Sequence, residues 1–227
     1  MSKLARIPVR ALDVGCGSGN LTSHLLELGF HVTSADLSPA FLCLVENVLG
    51  RRAGCECLPS TGKGWPGPDA SFDFVATYFV LHHVPDYLGL VSEMVRATKP
   101  GGIVCVDHEA SEGSWNPSPE YLKFKRQAEQ AMPFDWSKLV DPMRYVSRFR
   151  KLFNPRYQAE GNIHVFPDDY IAWPRVRQTL QESGCEVVWE QDYLLFQRGY
   201  PEDLFEAYRE QCADTHVLVA GKRAGAA

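Results

Sequence analysis

The sequence lacks the features that mark several classes of protein. No window of its 227 residues approaches the roughly 18 consecutive apolar residues of a membrane span. It shows no internal repeat. With 45% hydrophobic and 22% charged residues, it has neither a disordered nor a collagen-like nor a coiled-coil composition. The first residues, MSKLARIPVR, form too short and too interrupted a run for a signal peptide. We therefore expect a globular, cytoplasmic protein without a membrane partner.

Charge and cysteine content exclude further classes. The chain has 23 Lys and Arg against 28 Asp and Glu, and a net charge of −5 gives no general reason to bind phosphate backbones. Its seven cysteines include no CxxC pair and no Cys/His cluster with zinc spacing. We expect no nucleic-acid partner, no metal site and reduced thiols.

Proline and aromatic residues are what the sequence has in unusual number: 15 Pro, 12 Phe, 9 Tyr and 5 Trp. Many of the aromatics lie in residues 109–167, which we interpret as a helical cap with helices at 118–131 and 139–152. Proline and glycine also crowd the loop 59–70. Pockets for small ligands are commonly walled by aromatic side chains, so the cap is an expected place of ligand recognition.

Strand-like and helix-like patterns alternate along the chain. Short apolar runs predict strands at 9–14, 30–36, 54–58, 72–80 and 103–106, and helical spacing predicts helices between them, including 39–49 and 87–98. Such alternation is typical of an α/β fold with a doubly wound, mostly parallel sheet and helices on both faces. After the cap, helix 168–183, strand 185–196, helix 201–212 and strand 215–222 complete a seven-stranded sheet with an antiparallel pair at its edge. The predicted divisions are a core at 1–108, the cap at 109–167 and a core-completing segment at 168–227.

The segment LDVGCGSGN, residues 12–20, carries the strongest chemical signal. A sharp turn from strand to helix requires glycine at Gly15 and Gly17, where the backbone approaches a ligand closely. This turn lies at the carboxyl edge of the first strand, beside a helix N-terminus. Asp36 ends the second strand, and its carboxylate can accept both hydroxyl hydrogens of a ribose. Together these features predict a site for an adenosine-type cofactor.

The spacing argues against a nicotinamide cofactor, because the third glycine of GxGxxG would fall at Asn20. Three further segments follow in order: ADLSP at 35–39, PDASFDFVATYFVLHHVPD at 68–86 and ATKPGGIVCVDHE at 97–109. With DVGCGSGN they make the sequence resemble a class I, Rossmann-like S-adenosylmethionine-dependent methyltransferase. The resemblance covers about residues 1–110.

The resemblance implies S-adenosyl-L-methionine as the cofactor and assigns its parts to particular residues. The glycine turn would line the methionine portion, and Asp13 would hold that turn or meet the ammonium group. Asp36 would bind the ribose, Leu37 would lie near the adenine, and Thr61 or Gly62 would read the adenine where relatives often have Asp. The whole expected set of cofactor-binding residues is Asp13, Gly15, Gly17, Asn20, Asp36, Leu37, Thr61, Gly62, Tyr78 and His83, with Tyr78 nearest the sulfonium and His83 capping the loop beside it.

Three side chains at strand ends are candidate catalytic bases. An acceptor that reacts through a hydroxyl group or an acidic carbon must lose a proton, and histidine has a suitable pKa. His108 and Glu109 follow the fifth strand, and His82 follows the fourth. The alternatives are structural roles for these residues, a base in the cap at His164, and an acceptor that needs no base.

The sequence therefore predicts in-line methyl transfer to the oxygen, nitrogen or carbon atom of a small molecule. One alternative is a macromolecular acceptor, disfavoured for nucleic acid by the acidic balance and by TYFVLHH where an NPPY-type tetrad would stand. Another is a domain that binds the cofactor without transferring methyl. A dehydrogenase is disfavoured by Asn20, and a homodimer stays open.

Overall fold

Seven strands form one sheet in the computed structural model, which describes residues 9–61, 65–131 and 170–225. The strands are β1 (Arg10–Val14), β2 (His31–Asp36), β3 (Cys55–Pro59), β4 (Phe72–Tyr78), β5 (Thr98–Ala110), β6 (Cys185–Tyr193) and β7 (Thr215–Lys222). Their spatial order is β3-β2-β1-β4-β5-β7-β6. Strands β1 to β5 pair in parallel, and β7 runs antiparallel to both β5 and β6. The predicted doubly wound sheet with an antiparallel edge pair is confirmed.

The strand order places a crevice at the carboxyl end of β1. From β1 the chain adds β2 and β3 on one side, then crosses to β4 on the other side. The helices that follow β1 and β4 thus lie on opposite faces, and the loops at this switch point separate. This is where ligands bind in open α/β sheets.

The helices begin and end largely where local chemistry predicts. They are α1 (Asn20–Glu27), α2 (Pro39–Leu49), α3 (Tyr87–Ala97), α4 (Glu112–Trp115), α5 (Pro119–Ala131), α6 (Trp173–Glu182) and α7 (Glu202–Tyr208), with a 3₁₀ turn at Leu81–His83. At the start of α2, the Ser38 hydroxyl accepts from Phe41 N at 3.4 Å, and proline occupies the first helical position. Asp86 caps α3 by accepting from Gly89 N at 3.0 Å. None of the described helices is long and apolar enough to cross a membrane.

The core lies on both faces of the sheet. Successive residues of a strand point to opposite faces, so Ala11 packs with α1 and α2 while Leu12 packs with α3 and α6. Both residues are buried. This two-sided core explains why the strands were recognisable as apolar runs.

Two segments differ from the expectation. Residues 99–102, which separate the predicted helix 87–98 from the predicted strand 103–106, form a bulge within the longer β5. They face Asp73 alone, between the pairs Phe72↔Thr98 and Phe74↔Ile103. The C-terminal elements are also shorter than predicted: α6 begins at Trp173, β6 ends at Tyr193 and α7 spans Glu202–Tyr208.

The first helix of the predicted cap is present as α5. Its buried Tyr121 and Phe124 pack with Leu194 and Cys212, and the Tyr121 hydroxyl donates to Asp214 Oδ2 at 3.1 Å. The second predicted helix, 139–152, and His164 lie outside the described residues. The division into core and cap therefore stays a prediction.

Candidate active site

A cavity of about 510 Å³ opens at the switch point between β1 and β4. Its walls come from the carboxyl ends of β1, β2 and β4 and from the loops that follow them. Among the predicted cofactor residues, it is lined by Asp13, Gly15, Gly17, Asn20, Asp36, Leu37, Tyr78 and His83. Ser60 lines it where Thr61 was expected, and Gly62 lies outside the described residues.

The glycine turn is shaped by positive φ angles. Gly15 has φ 73° and Gly17 has φ 49°, a region that side chains with a Cβ rarely adopt. A Cβ at Gly15 would lie 2.6 Å from Val80 Cγ2, so the turn can pack against the loop after β4 only if residue 15 is glycine. At Gly17 a Cβ would meet nothing within 4 Å and would project into open space. The absence of side chains leaves backbone exposed to a ligand.

Asp36 connects the end of β2 to this turn. Its Oδ2 accepts from Gly17 N at 2.9 Å, and its Oδ1 accepts from Ser38 N at 2.8 Å. Each carboxylate oxygen has a further lone pair, so the group can still accept from the hydroxyls of a ribose. Leu37, 65% exposed, and Phe41 supply apolar surface on the cavity wall beside it.

Asp13 presents a carboxylate oxygen that the described protein does not satisfy. The side chain is fully buried, and its Oδ2 accepts from the Thr22 hydroxyl at 2.6 Å. Within the described residues its Oδ1 has no hydrogen-bond partner. Burial raises the pKa of Asp13 to about 6. A buried acceptor without a donor is costly, so a cationic donor bound in the cavity would be favoured here.

Tyr78 and Phe79 form the wall at the end of β4. Phe79 has φ 60° and is 48% exposed. On the adjacent strand, His108 has φ 66°. Left-handed backbone at bulky residues costs energy and concentrates at functional sites, so this part of the sheet edge is held in place by its surroundings.

His108 is held by two tyrosines and an aspartate. Its ring stacks on Tyr78 with 4.0 Å between centroids, and Nε2 lies 2.6 Å from the Tyr78 hydroxyl. Nδ1 lies 2.7 Å from the hydroxyl of Tyr193, which donates to Asp107 Oδ1 at 2.8 Å. Burial alone would raise the pKa of Asp107, but hydrogen bonds from His108 and Tyr193 lower it below its usual value.

Tyr193 is the member of this cluster that sequence reasoning missed. It is the last residue of β6, which runs parallel to β5 and so ends at the same edge of the sheet. The prediction extended that strand to residue 196, which concealed the terminal position. A tyrosine ending a strand at the cofactor edge would have been the signal.

Glu109 and His82 form a buried pair behind the cavity wall. Glu109 Oε1 accepts from Val80 N at 2.7 Å and from Leu81 N at 2.6 Å, and Oε2 lies 2.8 Å from His82 Nδ1. Both side chains are fully buried, and neither lines the cavity. This corrects the expectation that they act as bases, because a base must reach the acceptor. They fix the loop that carries Val80.

A family model described as a methyltransferase domain matches residues 12–106. A demethylmenaquinone methyltransferase of Bacillus velezensis is 35% identical over 181 residues, 77% of this chain and 70% of that protein. The chain belongs to the class I S-adenosylmethionine-dependent methyltransferases. This confirms the resemblance on which the cofactor expectation rested.

Two other similarities agree with this membership. A ubiquinone biosynthesis O-methyltransferase of Xylella fastidiosa is 36% identical over 103 residues, 43% of this chain and 42% of that protein. A crystal structure of a SAM-dependent methyltransferase from Methanosarcina mazei has a TM-score of 0.60 at 19% identity, covering 95% of this chain and 93% of that one, and so shares its fold.

The cavity of this methyltransferase fits its cofactor chemically. S-adenosylmethionine has an ammonium group that can donate to the unsatisfied Oδ1 of Asp13, and two ribose hydroxyls that can donate to Asp36. Because it has no pyrophosphate, the glycine turn needs no phosphate-binding role. The assignment of these residues to the parts of the cofactor stays a prediction.

Proposed function

We propose that this methyltransferase acts on a small molecule whose nucleophilic atom, oxygen, nitrogen or carbon, must lose a proton, and that His108 finally holds that proton. The observation that carries the proposal is the position of His108. It is 2.6 Å from the hydroxyl of Tyr78, which lines the cavity, and it is anchored on its other side by Tyr193. A histidine fixed in this way beside a ligand cavity is suited to general-base chemistry.

The size of the acceptor is argued from the relatives and from charge. One curated relative is named for demethylmenaquinone and another for ubiquinone biosynthesis, so both names refer to quinones and not to macromolecules. The net charge of −5 is unfavourable for approach to a nucleic acid. Both observations favour a small acceptor over a macromolecule. A homodimer and a cytoplasmic location stay predictions.

When bound, S-adenosylmethionine supplies a methyl group on a sulfonium, which a nucleophile displaces in line. The protein's contribution is to hold the geometry and to exclude water. Tyr78, Phe79, Val80, Val84 and Leu90 line one part of the cavity and are mostly apolar. A dry wall favours a reaction in which charge is lost, and orientation alone supplies up to about 7–11 kcal/mol in well-ordered systems.

Small-molecule acceptors test the proposal directly. The probes are demethylmenaquinone kept reduced, since only the hydroquinone ring is electron-rich, and a catechol as an oxygen nucleophile. Mass spectrometry should detect a methylated probe and demethylated cofactor in equal amounts. His108→Asn should lower turnover at least a hundredfold and leave the Kd for S-adenosylmethionine within about twofold.

Two results would contradict the proposal. In the first, calorimetry shows that the protein binds the cofactor, but the protein methylates added RNA or protein and neither probe. The second is full turnover by His108→Asn. The matched control is His24→Asn, an exposed histidine on α1 that does not line the cavity, which should leave turnover unchanged.

A further inference from the structure

The direction of each hydrogen bond around His108, from donor to acceptor, follows from the ionisation of Asp107. Its carboxylate is ionised at neutral pH, because hydrogen bonds from His108 and Tyr193 outweigh burial and hold its pKa low. An ionised carboxylate only accepts hydrogen bonds. Asp107 Oδ1 therefore accepts both from the Tyr193 hydroxyl at 2.8 Å and from the backbone N of His108 at 2.7 Å.

The single hydroxyl hydrogen of Tyr193 then determines the tautomer of His108. Because that hydrogen points to Asp107, the Tyr193 oxygen can only accept from His108 Nδ1, which lies 2.7 Å away. Burial, together with the hydrogen bond to Asp107, raises the pKa of Tyr193, so its hydroxyl stays protonated. A neutral imidazole carries one hydrogen, and with it on Nδ1 the Nε2 atom is an acceptor.

Tyr78 donates to that acceptor. Its hydroxyl oxygen is 2.6 Å from Nε2, and its ring is stacked on the imidazole. Among the described residues, Tyr78 and not His108 lines the cavity. A ligand in the cavity would thus meet Tyr78 before it could meet His108.

We propose that Tyr78 takes the acceptor's proton and passes its own to His108, while Tyr193 and Asp107 act as positioning residues. The acceptor's bond to hydrogen breaks as a bond forms between that hydrogen and Tyr78 Oη. The original Tyr78 O–H bond breaks as the Nε2–H bond forms. The proton rests on the imidazolium, whose Nδ1 lies 3.7 Å from Asp107 Oδ1. This relay rests on the proposed function, and it assigns the group that touches the acceptor.

A spectroscopic test needs no acceptor. Long-range ¹H–¹⁵N spectra of the full chain labelled at histidine should show His108 as the Nδ1–H tautomer near neutral pH. Tyr193→Phe removes the acceptor from Nδ1 and should shift His108 toward the other tautomer. Tyr208→Phe, which alters a half-buried tyrosine in a separate aromatic cluster, should leave the His108 signals unchanged. An Nε2–H tautomer in the unmodified protein would overturn the inference, as would a Tyr193→Phe spectrum identical to it.

The kinetic test uses the reduced demethylmenaquinone and catechol probes. Tyr78→Phe keeps the ring and loses the relay, so kcat should fall at least a hundredfold while the Kd for the cofactor stays within about twofold. Tyr193→Phe should lower kcat about tenfold with an unchanged KM. An undiminished kcat for Tyr78→Phe would refute the relay.

The two proposals fail in distinguishable ways. If the unmodified protein methylates added RNA or protein and neither probe, the proposed function fails, and the His108 tautomer still decides whether the hydrogen bonds run from Tyr78 to Asp107. If it methylates a probe but Tyr78→Phe does so equally well, only the relay is wrong. Thermal unfolding of each variant shows whether a loss of rate reflects a loss of fold.

Discussion

Phe79 and His108 each follow one member of the last cross-strand pair between β4 and β5, Tyr78↔Asp107, and both have a left-handed backbone, with φ of 60° and 66°. The backbone hydrogen bonding between β4 and β5 continues to this point, since Phe79 N donates to Asp107 O at 3.0 Å. Two strained residues in register imply that the bonds around them outweigh the cost of the conformation. At this point the His108 ring stacks on Tyr78, which lines the cavity.

The cost of the His108 backbone can be isolated by comparing two variants. His108→Gly and His108→Ala both remove the bonds to Tyr78 and Tyr193, but only glycine adopts φ 66° without strain. We expect the glycine variant to be more stable by about 1 kcal/mol in urea unfolding. The same pair at Gln178, in the middle of α6, should show the reverse order. An alanine variant at 108 that equals or exceeds the glycine variant would argue against strain.

The parts of the site that the sequence predicted are those set by local spacing. Gly15, Gly17 and Asp36 needed only a strand, a turn and a second strand, and all of them line the cavity. The loop 59–70 has no periodic pattern, and there the expected Thr61 gives way to Ser60.

The other parts of the site depend on contacts between residues far apart in the chain, which the sequence pattern does not reveal. Tyr193 reaches His108 across 85 residues, and no local pattern records that approach. Glu109 was expected to face the acceptor, but the ladder between β5 and β7 shifts register between Val106 and Glu109, and His108 is left-handed there. A register shift disturbs the alternation of side chains along a strand, so burial of Glu109 could not be predicted from its position.

Substitutions of Asp36 and Asp13 should differ in how they affect the binding of S-adenosylmethionine and of a fragment of it, 5′-methylthioadenosine. Asp36→Ala removes the acceptor for the ribose and should weaken S-adenosylmethionine and 5′-methylthioadenosine at least tenfold alike. Asp13→Asn should weaken S-adenosylmethionine only, because 5′-methylthioadenosine has no ammonium group. Calorimetry with both ligands measures this. Equal weakening of both ligands by Asp13→Asn would instead assign Asp13 to holding the glycine turn.

Asp13 should also make stability depend on pH. Burial raises its pKa to about 6 in the folded protein, above an unfolded value of 3.8, so the folded state binds the proton more tightly. Its stabilising contribution is present below about pH 4 and is lost as the pH rises through 6, a change of about 3 kcal/mol. Urea unfolding without cofactor should show the stability of the unmodified protein falling by most of this amount relative to Asp13→Asn between pH 4 and 7. A constant difference between the two proteins would contradict the raised pKa.

Glu109 offers the sharpest separation of a structural from a chemical role. Glu109→Ala removes the buried carboxylate that Val80 N, Leu81 N and His82 Nδ1 share, which should cost about 3–5 kcal/mol in unfolding free energy. Glu109→Gln keeps an oxygen for the two backbone donors and should lower the unfolding free energy less. Its kcat on a probe that the unmodified protein methylates should fall less than tenfold. A general base changed to glutamine would lose far more rate without losing stability. Glu109→Gln with wild-type stability and no turnover would therefore return Glu109 to the catalytic machinery.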